Sequence, residues 1–303
     1  MRYPNITLCP KNADAVNLTL ILDDMGRMFS ENINFTQTED ERYFSGSSTD
    51  LTQTEIEDLI AFALAGAGFD NFDPYVEKWD RSYIKKLAIL FQKWKGNRDL
   101  SDFYFFLFEE AGFRCEDLFI ECYYAGDLIP CCDVFRFSYV MLRGRCLKLR
   151  EFYQNDPALT GTLTLYMRYL PSNIVLKGHN QPETILYISD EYPDVATFPR
   201  FYLEAMKWNQ LHLQKRVISM LPNNPHCSNE TTAQGEGTCF VNKWLEKKVV
   251  HPLNCTLFYL QHKYPKLPVC NPEKIVETYS NVISLAIDNN SRCFPACYRR
   301  GWF

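Results

Sequence analysis

The chain has 303 residues, 46% of them apolar and 15% aromatic, enough for one large domain or two with a sizeable core. Its formal net charge of −5 leaves no basic stripe to meet phosphates, which argues against nucleic acid as a partner. It contains no run of the roughly 18 apolar residues that a membrane span needs.

Residues 3–9 read as a strand, and residues 15–22 fit either a second strand or a short helix. Residues 30–50 are polar and turn-rich, a loop. A helix over 54–66 follows Thr52-x-x-Glu55, a capping-box pattern, and sets Ile56, Leu59, Ile60 and Leu64 on one face before Gly66-Ala67-Gly68 ends it. A second helix is expected over about 75–94, after Asp73-Pro74, with Tyr75, Trp79, Tyr83, Leu87, Leu90 and Trp94 at helical spacing. A third, about 100–111, carries Phe103, Tyr104, Phe105, Phe106 and Phe108, an aromatic face that reads as helix-on-helix packing, with Gly112 as its stop.

From Cys115 the texture changes to cysteines and strands. Residues 162–170 alternate as a half-buried strand; 184–188 and 211–221 also read as strands. Pro222 and Pro225 break the chain before Cys227. Two helices follow between Cys227 and Cys297. The first, 241–250, puts Val241, Trp244, Leu245 and Val249 on one face. The second, 272–286, does the same with Ile275, Val276, Tyr279, Val282, Ile283 and Ala286, with Asn271 as N-cap and Pro272 at the first helical position. The order of strand, helical insertion, strands and helical hairpin makes an α+β fold with the helices segregated from a β core.

Twelve cysteines, an even number without one C-x-x-C pair, disfavour zinc ribbons and thioredoxin motifs and read as disulfides made in an oxidising compartment. Six N-x-S/T sequons agree. Asn5 and Asn254 abut apolar or cysteine positions, which leaves Asn17, Asn34, Asn229 and Asn289 as the glycosylation candidates. No signal peptide precedes Tyr3, and a disulfide-rich chain without one reads as a piece of a larger protein, its targeting and anchoring segments elsewhere.

No catalytic constellation is visible. The chain lacks H-E-x-x-H, G-x-S-x-G, a P-loop and a dinucleotide fingerprint, and its five histidines are scattered. A cysteine committed to a disulfide cannot act as a thiolate. The reading is therefore not an enzyme, with no catalytic residue, cofactor or metal assigned. Asp190-Glu191 is an acidic pair whose carboxylates raise each other's pKa; it fits a proton- or cation-sensing site or an ordinary solvated turn.

Several stretches, in order and at consistent spacing, resemble the extracellular domain of the degenerin/epithelial sodium channel/acid-sensing ion channel superfamily. They are Tyr3–Cys9, Asp102–Gly112, Asp117–Cys122, Cys122-Tyr-Tyr-Ala-Gly126 with Cys131, Phe135 and Gly144-Arg-Cys146, then Gln214–Pro222, Cys270-Asn-Pro-Glu273 and Cys293-Phe-Pro-Ala-Cys297. The resemblance implies a hand-like ectodomain: a β-rich palm and ball core, an inserted helical finger and a disulfide-stapled two-helix thumb. Residues 1–44 would supply the first palm and ball strands and 45–114 the finger. Residues 115–226 would supply the remaining ball, palm and knuckle strands, 227–297 the thumb and 298–303 the return to the membrane. Both membrane helices would lie outside this chain, one before Met1 and one after Phe303.

The same resemblance implies disulfides Cys227–Cys297, Cys239–Cys293 and Cys255–Cys270 in the thumb. Two further family bridges are each missing both partners, at Lys243 with Ser291 and Leu253 with Thr278. Outside the thumb it implies Cys9–Cys146 and Cys122 with Cys131 or Cys132, Cys115 taking the other; of these we assign Cys122–Cys131 and Cys115–Cys132. Nested bridges of this kind suggest a hairpin lever held only at its base.

The function implied is that of an extracellular gating domain of an amiloride-sensitive-type, sodium-permeable channel subunit at the plasma membrane. It would couple a ligand, peptide, proton or force to a pore not present in this chain. Its partners would be other channel subunits in a homo- or heterotrimer, a peptide or extracellular-matrix ligand, and the membrane through flanking segments. Asp190 and Glu191 match the acidic residues of the acid-sensing branch, but their expected thumb partners fall on uncharged Asn281 and Leu285, so an invertebrate-type subunit gated by peptide or force fits equally. The alternative is a secreted disulfide-rich binding module that forms no channel.

Overall fold

A computed structural model of the chain describes residues 3–29, 51–154, 161–174, 183–189, 194–221, 225–227, 235–286 and 293–302. In chain order the elements are β1 (Asn5–Pro10), α1 (Leu18–Phe29), α2 (Gln53–Gly66), α3 (Asp73–Val76), α4 (Arg81–Lys95) and α5 (Leu100–Phe105), the last prolonged by a π-helical turn, Phe106–Glu110. Then come α6 (Cys115–Leu118), β2 (Phe119–Tyr124), β3 (Asp127–Ile129), α7 (Cys131–Val134), β4 (Phe135–Val140), β5 (Gly144–Leu149), β6 (Leu163–Met167), β7 (Glu183–Ser189), β8 (Arg200–Glu204) and β9 (Lys215–Ser219). The first thumb helix is α8 (Gly235–Leu245), a π turn Glu246–Val250 and α9 (His251–Leu253). The second is α10 (Pro272–Glu277) and α11 (Tyr279–Ile283), and β10 (Tyr298–Trp302) closes the series. This is the α+β arrangement expected. Among the described residues no helix is long and apolar enough to cross a membrane.

The main sheet has five antiparallel strands in the order β4-β5-β1-β7-β8. Its central strand, β1, is buried along almost its whole length, as a strand covered on both faces must be. A three-stranded sheet, β3-β2-β6, and a two-stranded one, β9-β10, complete the β part. The Cys9–Cys146 disulfide ties β1 to β5, and Cys115–Cys132 and Cys122–Cys131 gather α6, β2 and α7 over the core around Phe119 and Phe135.

The helices begin where their caps put them. Thr52 Oγ1 accepts the Glu55 N–H, and the Glu55 carboxylate accepts the Thr52 N–H at 2.9 Å, a reciprocal box that starts α2. Of residues 15–22, those from Leu18 on are helix: Asn17 Oδ1 accepts the Leu20 N–H at 3.2 Å and α1 follows, while Val16 lies before it in an isolated bridge to Gly112. The single helix expected over 75–94 is two. Asp80 lies in an extended conformation and its side chain caps Tyr83 N–H at 2.8 Å, which restarts the chain as α4.

The third helix has Ala111 as its C-cap, so Gly112 falls at the C′ position expected, although without the positive φ of a left-handed cap. Gly112 also serves a close approach, because a Cβ there would lie 1.9 Å from the Phe108 carbonyl oxygen. Within the predicted strand 211–221 only Lys215–Ser219 is strand, paired with β10.

α2 is buried on every side from Leu59 to Gly66, beyond the one face its spacing suggested, because α4 packs on one side and the thumb on another. Around it Phe91, Trp94 and Phe103 meet edge-to-face with centroids 4.8–6.5 Å apart, and Phe108 stacks on Phe258 at 5.1 Å. Buried carboxylates in this core are paired. Asp24 of α1 accepts Trp94 Nε1–H at 3.0 Å and both terminal nitrogens of Arg98 at 2.9 and 3.2 Å, which satisfies a charge that would otherwise be costly to bury.

The thumb differs from expectation in two ways. Its second helix is broken and shorter: Thr278 Oγ1 bonds back to the Lys274 carbonyl at 2.9 Å, its backbone leaves the helical region, and Ala286 lies beyond the helix and exposed. Nor is the hairpin held only at its base. Val269, Val276 and Tyr279 belong to the same apolar core as α1, α2 and α4, so the thumb is docked along the helical finger.

Candidate functional site

The finger, the sheet and the thumb meet at the loop that leaves α2. Gly66 lies against the first turn of α10, where a Cβ would come within 2.3 Å of Pro272 Cβ and 2.6 Å of its Cα. Gly68 has a φ of +82° and packs on Leu257, so two glycines in three residues let the thumb approach the backbone itself. Phe69 then stacks on Tyr259 at 5.3 Å and meets Phe108 edge-to-face at 5.2 Å. Tyr279 of α11 donates its hydroxyl to the Phe69 carbonyl at 2.7 Å and accepts the Phe72 N–H at 3.0 Å. All of these groups are buried except Tyr259, which is half-buried.

Asp70 turns the same loop towards the sheet. Its N–H donates to the Leu142 carbonyl at 2.9 Å, and its carboxylate pairs with the buried Arg143 guanidinium at 3.0 Å. Leu142 and Arg143 form the β4–β5 turn, with Leu142 at φ 63° and Gly144 at φ 92°. Burial pushes the Asp70 carboxyl up to about 6, although Arg143 and then Arg200 favour its charged form; Asp73 opposes them. Burial also raises Tyr187 to about 12 and lifts Tyr259 and Tyr279 well above the ordinary phenol range. The junction thus holds one carboxylate poised near neutrality against a fixed guanidinium, with tyrosines that stay neutral.

A second tie joins the sheet side to the first thumb helix. Lys263 Nζ donates to Asp194 Oδ2 and to Asn242 Oδ1, each at 2.7 Å, and Thr238 Oγ1 accepts the Asp194 N–H at 3.3 Å. Within the thumb, Trp244 Nε1–H donates to the Val282 carbonyl at 2.9 Å, fixing one helix to the other.

The structure also joins Cys227 to Cys297, Cys239 to Cys293 and Cys255 to Cys270, and no cysteine is free. Asp190 and Glu191 lie outside the described residues, as do Asn34, Asn229 and Asn289. Asn17 is exposed at the start of α1. Asn281 is exposed and accepts Lys248 Nζ at 3.0 Å, and Leu285 is half-buried against the thumb core. Asp70, Arg143 and the Tyr279 hydroxyl were not singled out in the sequence. The available signal was the Gly66-Ala67-Gly68 run, which reads as a helix stop although it also permits close packing.

A family model described as amiloride-sensitive sodium channel matches residues 1–300. No curated protein matches the chain. With a match over nearly its full length, on a fold of β palm, helical finger and disulfide-stapled thumb, the chain belongs to the amiloride-sensitive sodium channel family.

Proposed function

We propose that this chain is the extracellular gating domain of a sodium-permeable, amiloride-sensitive-type channel subunit. Channels of the family sit in the plasma membrane with a large extracellular domain and assemble as multimers of subunits. In this reading a stimulus at the finger and thumb moves the sheet, and the sheet moves a pore formed by segments outside these 303 residues. The observation that carries it is the junction at Phe69–Phe72. There one loop is bonded at once to the thumb through Tyr279 and to the β4–β5 turn through Asp70.

A stimulus shifts gating only by its differential affinity for two states, and this loop is where two packings of thumb and finger would differ in energy. The stimulus proposed is a proton, peptide, matrix ligand or force. Asp190 and Glu191 are proposed as its sensing residues, which their closeness in the chain to Asp194, tied to the thumb by Lys263, supports.

The test is electrophysiological. Cells expressing the full subunit, alone or with other family subunits, are expected to show a sodium current that amiloride blocks. Tyr279→Phe is expected to change the stimulus needed for opening and leave single-channel conductance alone. Absence of current in every combination sinks the reading. An unchanged acid or ligand response in Asp190→Asn with Glu191→Gln removes those two residues from the mechanism.

A further inference from the structure

The first thumb helix ends at Asn254, in an Asn-Cys-Thr sequon whose middle cysteine weighs against it by sequence alone. In the fold Asn254 is exposed, and so are His251 and Pro252 beside it. It holds the left-handed conformation, φ 51° and ψ 44°, and its N–H donates to the Val250 carbonyl at 2.9 Å. Asparagine tolerates that conformation better than most residues with a side chain, so the end of the helix accounts for Asn254 by itself.

Thr256 is not accounted for in the same way. It is fully buried, yet among the described residues its Oγ1 has no hydrogen-bond partner. Its backbone is committed: the N–H donates to the Pro268 carbonyl and the carbonyl accepts the Cys270 N–H, each at 2.9 Å, in a parallel bridge to Val269. A valine would fill nearly the same space without burying an unpaired hydroxyl, which folding penalises. The hydroxyl is what the fold does not use and what an N-glycosylation sequon requires. Asn5-Ile6-Thr7 also buries an unpaired threonine hydroxyl, but Asn5 lies half-buried in the central strand, whereas Asn254 opens to solvent. The same burial sets an order. Cys255 is buried in its disulfide with Cys270, and once that bridge closes a transferase can no longer reach the Thr256 hydroxyl.

We propose that Asn254 carries an N-linked glycan, added before the Cys255–Cys270 disulfide closes. The donor is an oligosaccharide joined through a pyrophosphate to a membrane lipid. Asn254 Nδ2 forms a bond to the anomeric carbon of the first sugar, and the bond from that carbon to the pyrophosphate oxygen breaks. The lipid pyrophosphate leaves with the electron pair, and the amide nitrogen gives up one proton. Closure of the loop then oxidises the two thiols, whose two electrons and two protons pass to an oxidised dithiol carrier of the compartment. The glycan is bulky and hydrophilic, so this end of the thumb stays in water. The proposal needs only passage through an oxidising secretory compartment, which the six disulfides indicate, and no particular gating stimulus.

The experiment expresses the full subunit in a glycosylating eukaryotic cell, releases N-glycans with a glycan amidase in heavy-oxygen water, and maps the peptides. A heavy aspartate in place of Asn254 is expected; an unmodified asparagine there in all of the protein overturns the site. Thr256→Val is expected to lose this glycan and to melt no lower than wild-type protein stripped of its glycans, because the hydroxyl bonds to nothing. A marked fall in Tm would show that the fold uses the hydroxyl, and would overturn the argument from it. For the order, Cys270→Ala leaves the sequon intact and cannot close the loop. Read by the same peptide map on whole lysate, which does not require a folded product, its occupancy at Asn254 is expected to equal or exceed that of wild type. A fall in occupancy would overturn the order.

Discussion

The Tyr279 hydroxyl lies between the Phe69 carbonyl and the Phe72 N–H, at 2.7 and 3.0 Å, and so closes a contact between residues 210 positions apart. Both backbone groups are buried beneath the thumb, and neither has water to fall back on. Tyr279→Phe keeps the ring and removes both bonds. It is expected to destabilise the folded chain by about 1–3 kcal/mol, the cost of leaving buried polar groups unpaired. Denaturant unfolding of variant and wild type measures this; a midpoint within error of wild type would remove Tyr279 as a tie between thumb and finger.

Gly66→Ala sets two effects against each other. Alanine in a helix is favoured over glycine by about 0.5–1 kcal/mol. Against this, the new Cβ would lie 2.3 Å from Pro272 Cβ, and overpacking of that kind costs about 1–3 kcal/mol. The contact is with a proline ring and its backbone, which cannot swing aside, so a net loss of thermal stability is expected. A rise in Tm would show that the thumb is not seated on α2.

Asp70 makes stability depend on pH in a definite direction. Its carboxyl is raised to about 6 in the fold, above the roughly 3.9 of an unfolded aspartate, so the folded chain keeps the extra proton between those values. Stability from this group therefore falls as pH rises from about 4 through about 6. The groups facing it are Arg143, Arg200, Asp73, Tyr187 and Tyr259, and burial keeps both tyrosines neutral throughout that window. Asp70→Asn is expected to flatten this part of the profile and to lower stability at neutral pH by leaving Arg143 buried without its counter-charge. Urea unfolding at several pH values compares the two; identical slopes would rule out Asp70 as the titrating group.

The thumb disulfides can be removed one at a time. Cys255 and Cys270 are 15 positions apart, and opening a loop of that length costs about 3 kcal/mol. Cys255→Ala with Cys270→Ala is expected to lose that much and to loosen Thr256, whose backbone bonds to Pro268 and Cys270 cross the same loop. Non-reducing peptide mapping is the companion measurement. It is expected to recover Cys227 with Cys297, Cys239 with Cys293, and Cys115 with Cys132. A different partner for Cys227 would contradict the thumb described here.

The starts of α2 and α10 were legible because a capping residue acts on neighbours two or three positions away, and that pattern needs no knowledge of the rest of the chain. The same holds for the buried faces of the thumb helices, where Val241, Trp244, Leu245 and Val249 follow from spacing alone. The even cysteine count and the missing C-x-x-C pairs marked a disulfide framework, and the ordered motifs carried the resemblance to the channel family. The breaks were harder. Asp80 competes as a cap inside an apolar pattern that otherwise runs on, and Thr278 bonds back to its own helix; both are local alternatives that hydrophobic periodicity does not weigh.

By itself, then, the sequence determined the α+β class, the places where helices begin, and the covalent and glycan chemistry open to the chain. Tertiary structure decided that the thumb is docked on the finger, that Gly66 and Gly68 are close-packing positions, and that Asp70 faces Arg143. The physical reason is range. Caps and amphipathic spacing act within a turn or two. The Asp70–Arg143 pair and the Tyr279 bonds arise only when distant segments bury apolar surface together, and water is then excluded from groups that had no partner in the chain nearby.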